Sequence, residues 1–113
     1  MSDKSFGKIM NPAMKLIQAL DELIELLDSD DESHWSAWMR SARDRLAADD
    51  GSGIEKILGA YGGMGSFNDL ILGQRTFGSR LEWKPGAQAL NGRLEELRSG
   101  IYDLAIALRR AKG

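Results

Sequence analysis

His34 is the one imidazole in this 113-residue chain, and there is no cysteine. Those two counts remove disulfides, thiolate zinc sites, iron–sulfur clusters, cysteine nucleophiles and any histidine-based metal cluster. A single histidine beside Trp35 in a first helical turn reads as a capping or surface residue, since acid–base work needs an orienting partner. The pairs Glu25/Asp28 and Asp28/Glu32 have a spacing that one helix face could offer a cation. No Glu-x-x-His pattern accompanies them, so they resemble no carboxylate metal site. The expectation is no metal, no cofactor and no catalytic residue.

Gly62-Gly63-Met64-Gly65-Ser66, followed by Asn68 and Asp69, is the other place where chemistry could sit. Backbone N–H groups in a glycine turn ahead of a helix attract anions, which makes a small-ligand or nucleotide site through Gly63, Gly65, Ser66, Asn68 and Asp69 the alternative function. The fingerprints fail in detail. No Lys-Ser/Thr pair follows as a P-loop requires, and Asn68 stands where a dinucleotide loop has its third glycine. A tight interhelical turn capped by Ser66 and Asp69 satisfies the same residues.

Charge is spread unevenly. Residues 1–50 carry six Lys/Arg against eleven Asp/Glu, a balance of −5, and residues 51–113 carry nine against six, a balance of +3. Between Asp21 and Glu32 stand Asp21, Glu22, Glu25, Asp28, Asp30, Asp31 and Glu32 with no base among them. Such a surface repels nucleic acid and steers basic protein surfaces inward. The competing reading is an ordinary solvated helix face. Arg93, Arg98, Arg109, Arg110 and Lys112 suit the last helix's dipole and need no nucleic-acid partner.

The elements that hold these residues follow from apolar periodicity. Asn11-Pro12 starts a helix, and Ala13, Leu16, Ile17, Leu20, Leu23, Ile24 and Leu27 make its stripe. Ser29-Asp-Asp-Glu32 has the capping-box form and predicts a second helix, with Trp35, Trp38, Met39, Ala42 and Leu46 inward. Ser52-Gly-Ile-Glu55 opens a shorter one, broken by the glycines. Ser66-Phe-Asn-Asp69 leads into Leu70-Ile71-Leu72, which reads as a short helix or a buried strand. Residues 73–86 look irregular, with room for a small hairpin. Leu90, Leu94, Leu97, Ile101, Leu104 and Leu108 form a narrow seam on a last helix, suited to packing on another helix or to self-association. Gly92 and Gly100 within it suggest a close helix–helix approach. The expected fold is all-α: a compact bundle of three long helices and one or two short ones. Residues 1–10 are expected to be flexible, and 11–113 to form a single domain. Met1 to Lys8 has no apolar stretch of a secretory signal, and no run approaches the ~20 residues of a membrane span, so a cytoplasmic location is expected.

The segment from Ile57 to Leu72, with its core Gly62-Gly-Met-Gly-Ser-Phe-Asn-Asp-Leu70, resembles a family of small bacterial domains of unknown function. That family carries an upstream Trp-x-x-Trp element like Trp35-Ser-Ala-Trp38, and the likeness covers about residues 14–75. It assigns no catalytic residues, and some members look like immunity proteins encoded beside secreted antibacterial toxins. The resemblance implies a cytosolic scaffold that blocks a basic-surfaced bacterial toxin. Asp21, Glu22, Glu25, Asp28, Asp31 and Glu32 are the expected contact residues, with Trp35 as the apolar anchor. The chain would be a monomer or weak homodimer.

Overall fold

The computed structural model describes residues 11–62 and 65–112. Residues 1–10 and Gly63 lie outside them. The elements run α1 (Pro12–Ser29), α2 (Ser33–Ala47), α3 (Ser52–Ala60), a single 3-10 turn (Phe67–Asp69), β1 (Gln74–Phe77), β2 (Arg80–Trp83) and α4 (Ala87–Lys112).

Asn11 caps α1 as its type predicts. Its Oδ1 accepts the Met14 N–H at 2.8 Å, with Pro12 in the first turn where no N–H is needed. The α1 stripe buries Leu16, Leu20, Leu23, Ile24 and Leu27. These meet Met39 and Ala42 of α2, Ile54, Ile57 and Ala60 of α3, and Leu94, Leu97, Ile101 and Ala105 of α4 in one continuous core, together with Phe67 and Leu72. Of the α4 seam, Leu94, Leu97 and Ile101 are thereby buried inside the molecule, while Leu90, Leu104 and Leu108 pack partly buried against the same core.

α1 and α2 both end in the same device. Asp31 (φ 57°) and Asp49 (φ 61°) take the left-handed conformation usually given to glycine. Behind Asp31, the Glu32 and Asp31 N–H groups return to the Leu27 and Asp28 carbonyls; behind Asp49, those of Asp50 and Asp49 return to Arg45 and Leu46. This double closure displaces the capping box expected at Ser29. The Ser29 hydroxyl instead donates to Leu26 O within α1, and Glu32 becomes the N-cap of α2.

The architecture is mostly helical but not all-α. Residues 74–83 form an antiparallel hairpin, with Gln74 opposite Trp83 and Phe77 opposite Arg80. Gly78 (φ 62°) opens its two-residue turn, as a type II′ geometry requires. Leu70-Ile71-Leu72 is neither helix nor ladder strand. The Asn91 side chain takes the place of a neighbouring strand, accepting the Leu72 N–H (2.8 Å) and donating to the Leu72 carbonyl (2.9 Å). The molecule is also longer than a compact bundle: its radius of gyration is 15.9 Å, against about 13 Å for a typical 100-residue domain. A 26-residue α4 spans about 39 Å, and the shorter helices cannot cover all of it.

Gly92 and Gly100 do not mediate close packing. A Cβ at either would meet nothing within 4 Å. The close approach is at Gly53, where a Cβ would lie 2.8 Å from the Ala42 carbonyl oxygen, so that α3 can lie against α2.

Candidate functional site

The acidic face comes from the outward side of α1. Leu20, Leu23, Ile24 and Leu27 point inward, so the residues between them, Asp21, Glu22, Glu25 and Asp28, are exposed by helical geometry. α2 then lays arginines along the same seam. Arg43 Nε donates to Asp21 at 2.8 Å and Arg40 donates to Asp28 at 2.8 Å. The Ser36 hydroxyl also donates to Asp28. Arg93 of α4 reaches across to Glu22. Three of the four carboxylates therefore stand in ion pairs, and the free charge is smaller than the run of acids suggests. Among the described residues, Glu25, Asp31 and Glu32 have no Lys or Arg partner within 4.0 Å. Glu32 is partly committed, accepting the Trp35 N–H at 3.4 Å.

Trp35 is half-buried. Its ring contacts those of Phe67 and Trp38, each with centroids 5.4 Å away, and that of exposed His34 at 4.6 Å. Trp35 thus serves largely as packing and is only partly exposed. Trp38 fastens α2 to α3: its indole N–H donates to Lys56 O at 2.8 Å, and the Lys56 ammonium sits 4.0 Å over the ring.

The glycine turn is largely self-satisfied where it is described. The Gly65 N–H donates to Asp69 Oδ2 at 2.6 Å, and Ser66 Oγ accepts the Asn68 N–H at 3.2 Å. Arg98, from α4, donates to the Phe67 and Leu70 carbonyls at 2.9 and 3.2 Å and clamps the 3-10 turn. Asn68 lies exposed at the rim of an open groove of about 490 Å³, shared with Tyr61, Glu95, Ser99, Tyr102 and Asp103. Burial pushes the Tyr61 phenol well above its ordinary value, and its O–H donates to Arg98 O at 2.7 Å. The Arg98 hydrogen bond, and then its charge, hold Glu95 below the usual carboxylate value. Arg98 lines the groove as well but is paired with Glu95, and with Asp103 beside them the balance stays negative, which weighs against a phosphate ligand there.

Asp30, within the acidic run but not counted among the contact residues, has a separate duty. Its Oδ2 accepts the Gly73 N–H at 2.9 Å and its Oδ1 pairs with the Lys84 ammonium. Burial raises its pKa, but the hydrogen bonds from Lys84 and Gly73, with the lysine's charge, outweigh that and hold it below the ordinary value. The two ends of the hairpin are thus tied to the α1–α2 turn. Seven acids in twelve residues gave no sign of which one would turn inward.

Residues 28–77 match the family model of a domain of unknown function, DUF6966. That segment runs from the last turn of α1 through β1 and includes Asp30, Trp35, Trp38 and the clamped turn. No curated protein matches the chain. No solved structure matches it. No helix among the described residues is long and apolar enough to cross a membrane.

Proposed function

We propose that this domain works by contact and without chemistry, as an immunity-type antagonist that covers a basic working surface of a bacterial toxin. The observation that carries this is the outer face of α1. Asp21, Glu22, Glu25 and Asp28 all point outward there, and with Asp31 and Asp44 nearby they outnumber Arg40, Arg43 and Arg93. The arginines fix three carboxylates in position and reduce their net field. Glu25 and Asp31, without a Lys or Arg partner among the described residues, are the carboxylates best placed to meet a partner's base. Opposite charge at such a rim acts chiefly on association rate and specificity.

The test is expression of this chain in cells that produce the toxin-like product of a neighbouring gene, with binding of the two purified proteins measured alongside. Protection of growth, and a roughly tenfold slower association for a Glu25→Lys/Asp31→Lys variant at low salt, are the expected results. Failure of the chain to bind or protect against any such product sinks the proposal.

A further inference from the structure

Both edges of the two-stranded hairpin are open among the described residues, and the β2 sequence is complementary to itself. The Lys84 N–H donates to Gly73 O at 2.6 Å, one step beyond the paired residues. Antiparallel bonds alternate along a ladder, so Arg75/Glu82 and Phe77/Arg80 exchange them, while the N–H and C=O groups of Leu81 and Trp83 point away from β1. Among the described residues no hydrogen bond outside the hairpin engages those groups. Both side chains are exposed, Leu81 at 62% and Trp83 at 58%. An open edge with large apolar residues is a template for another strand.

We infer that a second copy of this chain pairs there, β2 against β2 about a two-fold axis through Leu81. The register is chosen by the residues. With Leu81 opposite Leu81, Arg80 falls opposite the Glu82 of the second copy and Glu82 opposite its Arg80. Within one chain Arg80 already reaches Glu82 at 2.6 Å, so the four charges alternate in sign around the axis. Ser79 and Trp83 become the next bonded pair. Centring on Trp83 instead would set Leu81 against Pro85, which has no N–H to give. The β1 edge offers no such match, since Arg75 has no acid on its own strand. The result is a four-stranded sheet with the leucines and tryptophans of both copies on one face. This contact is independent of the acidic α1 face, so either can fail alone.

So few residues make a small interface, and association should be weak, with a dissociation constant on the order of 0.1 mM. Sedimentation velocity and amide NMR on the intact chain up to about 1 mM test it. Expected are concentration-dependent dimerisation and shifts confined to residues 79–83. Arg80→Glu should weaken the dimer about tenfold or more, and the Arg80→Glu/Glu82→Arg exchange should restore it. Leu81→Lys should leave a monomer, with an unchanged helical CD spectrum showing that the fold persists. A native monomer at 1 mM overturns the proposal, as does a dimer indifferent to Leu81→Lys or a charge exchange that fails to rescue. Hairpin shifts seen only on addition of a different protein would also overturn it and give the edge to that partner.

Discussion

Asp31 and Asp49 hold a backbone conformation that L-residues adopt at a cost of roughly 1 kcal/mol, and Asp tolerates it better than most. Among the described residues the Asp49 side chain has no ion pair and no hydrogen bond. Asp49→Gly should therefore raise stability by about 0.5–1 kcal/mol, a few degrees in Tm by calorimetry. A fall in Tm would mean that the carboxylate has a hidden structural role. Asp30 is the opposite case, because its side chain is nine-tenths covered and both oxygens are engaged. Asp30→Asn should cost about 1–3 kcal/mol in urea unfolding and loosen residues 73–84 first, read by hydrogen exchange. The folded carboxyl titrates lower than the unfolded one, so its contribution is complete above the ordinary carboxylate range. It is lost as pH falls through the lowered folded value. The variant should lose that part of the wild type's acid sensitivity, and an unchanged acid limb would contradict the latch. Neither role was legible beforehand: a left-handed aspartate and an inward-facing one look alike in a run of acids.

At the scale of elements, apolar periodicity located the helices correctly, since burying a stripe is what determines where a helix lies. Ends were less legible. Ser29 satisfies a capping-box pattern, yet the double closure behind Asp31 wins because it satisfies two α1 carbonyls at once. Leu70-Ile71-Leu72 was ambiguous because its partner is a side chain, Asn91, nineteen to twenty-one residues away in the chain. The hairpin was hard to see because its strands are almost wholly exposed, so no alternation of burial marks them. The glycines of α4 misled in the other direction. A Gly inside a leucine seam suggests close packing, but both project into open space. Gly92→Ala and Gly100→Ala should each stabilise α4 by roughly 1 kcal/mol without disturbing the core. Thermal unfolding of the single and double variants checks this, and additivity is expected because the sites lie two turns apart.

For the whole molecule, the charge imbalance between the two halves of the chain is partly settled by folding. Glu22 of α1 meets Arg93 of α4 and Asp30 takes Lys84, each joining the two halves, while Glu55 of α3 comes within 3.9 Å of Arg109 inside the second half. Most of these pairs are half exposed, where an ion pair is worth about 0–1 kcal/mol and salt screens it. The same salt relieves repulsion among Asp21, Glu25, Asp28 and Asp44, which crowd one seam. The two effects oppose each other. Raising NaCl from about 0.05 to 0.5 M should therefore move Tm by no more than about 2 °C, while association with a basic partner over the same range should slow by about tenfold or more. The contrast separates the two duties that one set of carboxylates could have. A Tm that falls by about 5 °C or more would mean that the arginine pairs hold the helices together, leaving the α1 face a structural seam and no binding surface.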